Sequence, residues 1–490
     1  MNIRDLSVKE YGEGLRAKKF SAEEGMHEFL SVIKKEDKKI HAFLSVFEDE
    51  ALTQARAVDG KIAREEMLHP LAGVPIAVKD NILIHGAKTT AASRILENYA
   101  SAYDATVIQK LRDSDVVFLG KTNMDEFAMG ASTENSAFGA TKNPYDISRV
   151  PGGSSGGSAA SVAAKFAPMA LGSDTGGSVR QPAAFCGVVG FKPSYGAVSR
   201  FGLIAMTSSI DQIGPIARSA EDVSFLFDAI EGKDRFDTTS VGVPSGEYSE
   251  EAVKKIRIGI PKEYFLPAQA GGEGVDAPVK AEVMKSIEAF RKNGFAVKEV
   301  SLPLTKYAIS VYYIIVPAEV SANLARFDGI RYPKELKKGF EKSFSDLLEK
   351  YKKARGYGFG DEAKRRILLG TFVLSAGYYD AYYKKAEKVR ELITREFESV
   401  WDDVDVLLAP TTPTRAFKFG EKTDDPLQMY ACDMLTAPAN LAGLPALSVP
   451  VKKYEIGGKE LPVGLQIIGR QFHDREVLAL GRFYEKYLRV

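Results

Sequence analysis

Val150-Pro-Gly-Gly-Ser-Ser-Gly-Gly-Ser-Ala-Ala160, followed by Leu171-Gly-Ser-Asp-Thr-Gly-Gly-Ser178, is the stretch whose reading decides the fold. Ser154 and Ser178 close the first and the last of its Gly-Gly-Ser groups. Glycine at this density lets one backbone approach another and admits dihedrals that side chains forbid. The apolar run Phe166-Ala-Pro-Met-Ala-Leu171 predicts a short buried strand entering the second group, and Val179-Arg-Gln-Pro-Ala-Ala184 predicts a helix start after it. A serine on a strand-to-helix turn, preceded by Thr175, Gly176 and Gly177, suits a nucleophile flanked by backbone N–H donors. A phosphate-cradling loop or a tight structural turn explains the same residues, and spacing alone does not separate the three.

Upstream, Leu71-Ala-Gly-Val-Pro-Ile-Ala-Val-Lys-Asp-Asn81 alternates apolar residues at Val74, Ile76 and Val78, which predicts a strand ending at Lys79. A lysine at a strand end is ordinarily a solvated charge. Val78 and Ile82 flank this one, and burial would lower its pKa and leave a neutral amine able to act as a base. Asp104 to Arg112 reads as a helix, Val116-Val-Phe-Leu119 as a strand, and Asn123-Met-Asp-Glu-Phe-Ala-Met-Gly-Ala-Ser-Thr-Glu134 as a loop rich in hydrogen-bonding groups. Strands alternating with helices predict an α/β core. Ligands in such sheets gather at the carboxyl ends of strands, where Lys79 and the loop before Ser178 both fall.

Ser21 and Glu24 form a capping box ahead of Met26, Phe29, Leu30 and Ile33 at helical spacing, and a second helix is expected over Glu48 to Glu66. The polar stretch from about Gly232 to Lys255 reads as a surface insertion. Ile256-Arg-Ile-Gly-Ile260 restarts as a strand, Ala268 to Pro278 as a loop, Val279 to Lys292 as a helix and Ala296 to Leu302 as a strand. Residues from about Thr305 to Trp401 are expected to be mostly helical, with Tyr312, Tyr313 and Tyr378-Tyr-Asp-Ala-Tyr-Tyr383 as core or interface aromatics. Val404 to Leu408, Ala446 to Val451 and Val463 to Ile468 return as strands before a closing helix at Asp474. This order predicts one domain over residues 1–490, with a helical segment at 1–70 and a helical cap at about 305–401 inserted before the sheet is completed.

Whole-chain properties exclude several functions. Lys plus Arg is 66 and Asp plus Glu is 65, which argues against broad, charge-driven nucleic-acid binding. Cys186 and Cys432 alone make neither a disulfide framework nor a zinc cluster, and a reducing cytoplasm is expected. The start Met-Asn-Ile-Arg-Asp lacks a signal-peptide core, no uncharged apolar run approaches membrane-spanning length, and no membrane partner is expected. Gly120-Lys121-Thr122 has a P-loop ending, but Asp115 stands where that motif requires glycine. Metal-ligand spacing is absent. The histidines, at 27, 41, 69, 85 and 473, lie outside the glycine–serine region. A Ser–His–Asp triad remains possible in space, although no Gly-x-Ser-x-Gly elbow fits Ser178. A Ser–Ser–Lys arrangement uses what is present, with Lys79 as base, Ser154 as relay and Ser178 as nucleophile.

Gly152-Gly-Ser-Ser-Gly-Gly-Ser158, Gly172-Ser-Asp-Thr-Gly-Gly-Ser178 and Val78-Lys-Asp-Asn81 together resemble the amidase-signature family. The resemblance implies a large mixed, twisted β-sheet covered by helices on both faces. It implies a Ser–cis-Ser–Lys triad of Ser178, Ser154 (after a cis peptide) and Lys79, with an oxyanion hole at Thr175, Gly176 and Gly177. Within the family, five stretches narrow the resemblance to the A subunits of glutamyl-tRNA(Gln) amidotransferases. These are Asn123 to Gly130, Arg326-Phe-Asp-Gly-Ile-Arg-Tyr332, Lys364-Arg-Arg-Ile-Leu-Leu-Gly-Thr-Phe372, Gly377 to Tyr383, and Asp425-Pro-Leu-Gln-Met-Tyr-Ala-Cys-Asp433. An insert near Ala268 to Ala277 looks longer than in those proteins.

The resemblance implies that Tyr312, Arg366 and Asp433 hold free glutamine. The chemistry agrees, since guanidinium can grip an α-carboxylate bidentately and a carboxylate can accept an α-ammonium. Taken without the resemblance, Arg366 reads as a helix-surface charge beside Arg365. The implied function is a glutaminase that supplies ammonia for converting Glu-tRNA(Gln) to Gln-tRNA(Gln). No cofactor is expected in this chain, ATP and Mg²⁺ being used by a B subunit that also carries most of the tRNA contacts, with a small C subunit completing a heterotrimer. Asn123 to Ser132, with Glu126, is a candidate mouth for the ammonia path, and a structural salt bridge is the plainer reading of Glu126. A stand-alone amidase of small or peptide amides and a non-catalytic tRNA-complex scaffold are the rival functions.

Overall fold

Short apolar runs from both ends of the chain meet in a single eleven-stranded sheet. A computed structural model describes residues 2–246, 248–266, 274–333 and 346–489. The strands are β1 Phe43–Val46, β2 Pro75–Lys79, β3 Val117–Thr122, β4 Met169–Asp174, β5 Val189–Lys192, β6 Gln212–Ala217, β7 Ile258–Pro261, β8 Val297–Val300, β9 Val406–Pro410, β10 Ala446–Pro450 and β11 Gly464–Gly469. Their order is β1-β3-β2-β4-β6-β5-β10-β11-β9-β7-β8. β2 runs parallel to β3 and β4, and β7 runs parallel to β8 and β9. The remaining pairings are antiparallel, so the sheet is mixed, as expected. Every residue of β2, β3, β4, β5, β6, β9, β10 and β11 is buried. A strand whose alternate side chains are all buried has both faces covered, and helices cover them.

The expected capping box is formed: Ser21 and Glu24 cap the helix Ala22–Ile40, which turns Met26, Phe29, Leu30 and Ile33 inward. The following helix, Glu48–Ala63, stops short of Glu66. The stretch expected to be a helical cap contains the helices Ala308–Asn323, Leu347–Gly358, Asp361–Val373 and Lys384–Val400 among its described residues. The glycine-rich loop expected around 268–278 falls largely on residues 267–273, outside the described ones; the helix after it begins at Ala277 rather than Val279.

One helical run, Pro303–Arg326, is long and apolar enough to cross a membrane by length and composition, although Lys306 and Glu319 interrupt it and leave no long uncharged run in the sequence. It is packed into the fold: Val311, Tyr312, Ile315, Val316 and Val320 are buried, and Glu319 accepts a hydrogen bond from Ser209 N–H at 3.0 Å.

Candidate active site

Parallel register delivers the lysine. Ile76, Ala77 and Val78 of β2 pair with Met169, Ala170 and Leu171 of β4, so the carboxyl ends of the two strands finish side by side. Lys79 lies at one end and the Ser173–Ser178 loop leaves from the other. The Lys79 ammonium is fully buried, and its Nζ donates to Ser154 Oγ at 2.7 Å, Ser173 Oγ at 2.9 Å and the Ser173 carbonyl at 3.2 Å. Burial lowers its pKa to about 7, against the opposing pull of Asp125, Asp174 and Asp211. A lysine amine that is half neutral at pH 7, in contact with a hydroxyl, can take a proton from it and return it.

The two glycine–serine groups close on each other. The Gly153–Ser154 peptide is cis, as the family resemblance implies. Ser155 N–H donates to the Ser178 carbonyl at 3.1 Å, which ties the Ser154 segment to the Ser178 loop. Ser154 is fully enclosed and Ser178 is 8 % exposed, so of the two hydroxyls Ser178 is the one reachable from outside. Gly177 has φ +136°, and a Cβ there would lie 2.2 Å from Thr436 Oγ1, so only glycine fits.

Asp174 organises the loop between them. Its carboxylate accepts Gly177 N–H at 2.8 Å, Val179 N–H at 3.1 Å, Arg180 Nε and Nη2 at 3.0 Å each, and Asn440 Nδ2 at 2.9 Å. Burial alone would raise its pKa, but the adjoining Arg180 guanidinium holds it well below the usual carboxylate range. The N–H groups expected to form the oxyanion hole differ in their commitments. The Gly177 N–H is committed to Asp174, whereas those of Thr175, Gly176 and Ser178 have no acceptor among the described residues. These three are the donors open to a developing oxyanion.

The residues expected to hold glutamine connect to this loop through a series of contacts. Tyr312 covers the loop so closely that a Cβ on Gly176 would lie 2.6 Å from its hydroxyl. Thr436 stands one turn beyond Asp433 and donates from Oγ1 to the Gly176 carbonyl at 2.5 Å. Arg366, 2 % exposed, donates from Nε to Glu362 at 2.7 Å, while its buried Nη1 has no acceptor among the described residues. Its guanidinium sits 5.1 Å from the Tyr313 ring and 5.6 Å from the Tyr430 ring, and those rings stack with centroids 3.7 Å apart. Tyr313 O–H donates to Asp433 at 3.2 Å. Burial pushes the Asp433 carboxyl up to about 7, with Arg366 opposing. A buried guanidinium edge and a buried carboxylate are thus held near a nucleophile, complementary to a zwitterion.

Sequence reading missed the residues that set these groups. Ser173 and Asp174 lie inside one of the glycine–serine motifs, and Tyr313 and Tyr430 adjoin Tyr312 and the Asp433 stretch. Glu362, which accepts from Arg366 and from Tyr430 O–H at 3.1 Å, gives no signal beyond its i,i+4 spacing. The segment Asn123–Ser132 is almost wholly enclosed, and Glu126 makes hydrogen bonds to Ser93 and Gly360 rather than the salt bridge offered as its plainer reading.

The chain matches the Amidase family over residues 24–478. The A subunit of glutamyl-tRNA(Gln) amidotransferase from Geobacillus kaustophilus is 51% identical over 490 residues, covering 99% of this chain and 98% of that one. The protein of the same name from Nostoc sp. is 53% identical over 486 residues, covering 98% and 97%. The solved structure of the A subunit of glutamyl-tRNA(Gln) amidotransferase from Thermotoga maritima is 42% identical, superposes with a TM-score of 0.80, and covers 99% of this chain and 95% of that one. Likeness along nearly the whole length, joined to a buried lysine bonded to the serine of a cis Gly–Ser peptide, shows that the chain belongs to the amidase-signature family.

Proposed function

We propose that this chain is the glutamine-hydrolysing component of a glutamyl-tRNA(Gln) amidotransferase. The observation that carries the reading is a chain of contacts: Lys79 donates to Ser154, Tyr312 and Thr436 lie against Gly176 in the Ser178 loop, and Tyr313, next to Tyr312, joins Arg366 to Asp433. Arg366 takes the α-carboxylate through its unpaired guanidinium edge, Asp433 takes the α-ammonium, and Tyr312 lies over the side chain. Ser178 Oγ attacks the amide carbon as its proton passes to Ser154 and that of Ser154 to neutral Lys79. The N–H groups of Thr175, Gly176 and Ser178 hold the oxyanion. Return of the proton to the nitrogen releases ammonia and leaves a γ-glutamyl ester on Ser178. Water, deprotonated along the same path, hydrolyses that ester to glutamate.

Ammonia freed at neutral pH protonates and diffuses away unless it enters a second site directly. The reading therefore includes a partner B subunit that uses ATP and Mg²⁺ to activate Glu-tRNA(Gln), and a C subunit completing the heterotrimer. It is supported by the names of the relatives and by the missing P-loop in this chain. The test is reconstitution. The chain mixed with B and C subunits, ATP, Mg²⁺, glutamine and Glu-tRNA(Gln) forms Gln-tRNA(Gln). Ser178→Ala abolishes this with glutamine but not with added ammonium chloride. Rapid hydrolysis of simple amides by the lone chain, with no binding to either partner, would replace this reading with a stand-alone amidase.

A further inference from the structure

Glu126 follows β3 in a segment that the hydrolytic chemistry does not use, yet it is 3 % exposed, and its chain neighbours Met124, Phe127 and Met129 belong with Phe359 to one buried apolar cluster. A carboxylate in such surroundings persists only with good hydrogen-bond donors. It has two: Ser93 Oγ at 2.5 Å and the Gly360 backbone N–H at 2.8 Å. Gly360 is the N-cap of the helix Asp361–Val373 and provides no side chain to cap it. Free N–H groups at a helix start favour a negative partner, and this helix takes one from 234 residues away in sequence. A Cβ on Gly360 would lie 2.6 Å from Glu126 Oε2, so glycine is what lets the carboxylate reach.

That helix carries Glu362 and Arg366. The residue beside Glu126 is tied to the other half of the site, for Asp125 N–H donates to the Ser154 carbonyl at 3.2 Å. Phe127, next in the chain, packs on Phe359 with ring centroids 5.7 Å apart. Two adjacent residues thus connect the relay serine to the start of the Arg366 helix. Arg366 follows Gly360 by under two helical turns, so a shift at the cap moves the guanidinium with little loss. We infer that Glu126 is a positioning residue, a strut that sets the Arg366 helix at its working distance from the two serines. The inference rests on the reading that Arg366 binds the α-carboxylate of glutamine.

The experiment is steady-state kinetics of the full chain in complex with its partner subunits. Glutamine is compared with butyramide, which lacks the α-carboxylate, and each variant's fold is checked by thermal unfolding. Glu126→Ala and Gly360→Ala should each raise KM for glutamine about tenfold, with kcat and the kcat/KM for butyramide within about threefold of the parent. Glu126→Gln keeps an acceptor for the Gly360 N–H and should stay within about threefold for both substrates. If Glu126→Ala does not fold, Gly360→Ala carries the test, because it displaces the carboxylate without altering it. An unchanged KM, or an equal loss on glutamine and butyramide, overturns the strut while Arg366→Ala remains selective against glutamine. An Arg366→Ala variant that loses both substrates equally overturns the underlying reading, and the strut with it.

Discussion

Raising the pH from 6 to 8 should switch on kcat for glutamine through one ionisation near 7, that of Lys79. The structure sets both sign and size. Burial disfavours the ammonium and brings the pKa down to about 7, while Asp125, first among the acids, favours the charged form. The base is the neutral amine, so activity is low below the pKa and full above it. With a pKa of about 7, roughly a tenth of Lys79 is neutral at pH 6, half at pH 7 and nine-tenths at pH 8, a rise in kcat of about tenfold. A solvated lysine, with a pKa near 10.4, would instead give a rate still climbing about tenfold per pH unit at pH 8. Asp125→Asn removes a charge that stabilises the ammonium, so the rising limb should move to lower pH. Burial also raises Asp433 to about 7, and in the proposed function its charged form receives the α-ammonium. It therefore governs KM, which should fall as pH rises. Ammonia release at saturating glutamine and constant ionic strength isolates the Lys79 limb, and butyramide, which has no ammonium, gives it again. A kcat flat from pH 5.5 to 9, a limb still climbing at pH 9.5, or an alkaline shift in Asp125→Asn would refute the assignment of Lys79 as the neutral base.

Two further outcomes follow from single buried groups. Arg366→Ala removes one partner of a desolvated charge pair and should cost glutamine hydrolysis about 2–5 kcal/mol in kcat/KM, while butyramide hydrolysis, measured in parallel, stays within about threefold. Asp174→Asn leaves the fully buried Arg180 guanidinium without its carboxylate and should destabilise the fold by about 3–5 kcal/mol in denaturant unfolding. Because the folded Asp174 pKa lies below its unfolded value, its stabilisation is complete above about pH 4 and fades as pH falls toward the folded pKa. The parent's excess stability over the variant should shrink in acid.

The parts of the fold that were legible are those where local pattern and burial agree. Ile76, Ala77 and Val78 form an unbroken apolar run because both faces of β2 are buried, and the Ser21–Glu24 box announces a helix because its bonds are local. β6 escaped notice because Gly214 and Pro215 sit in its middle, residues that normally weaken a strand or confine it to an edge. It stands in the sheet interior all the same, between β4 and β5, where a Cβ at Gly214 would lie 2.2 Å from the Phe191 carbonyl. β1 follows the helix Ala22–Ile40 after only two residues, and Gly190 interrupts β5, so neither stands out as a strand in the sequence. The nearness of Lys79 to the glycine–serine groups was legible because those groups and a strand-end lysine are dense local signals. Their surroundings were not. Asp174 meets Asn440 across 266 residues, and Tyr313 meets Asp433 across 120, pairings that no local window contains. Gly177 reads in the sequence as a third oxyanion donor, yet its N–H turns to Asp174.

β10 has a meaning for how the molecule comes into being. It pairs with β5 on one side and β11 on the other, so the strands that carry Lys79 and the Ser178 loop adjoin the far strands only through residues near 446–450. During synthesis the nucleophile and its base emerge early, while Asp433 and the strand that joins the two sheet halves arrive close to the end. At ~5–20 residues per second, the ribosome holds the N-terminal half for tens of seconds with the edge of β5 bare. An exposed sheet edge is a template for pairing with a foreign strand. Nascent chains stalled before Ala446 should therefore be the species that associate with one another or engage chaperones. A chain stalled before Asp433 lacks one of the residues proposed to hold glutamine, so the complete site cannot form on it.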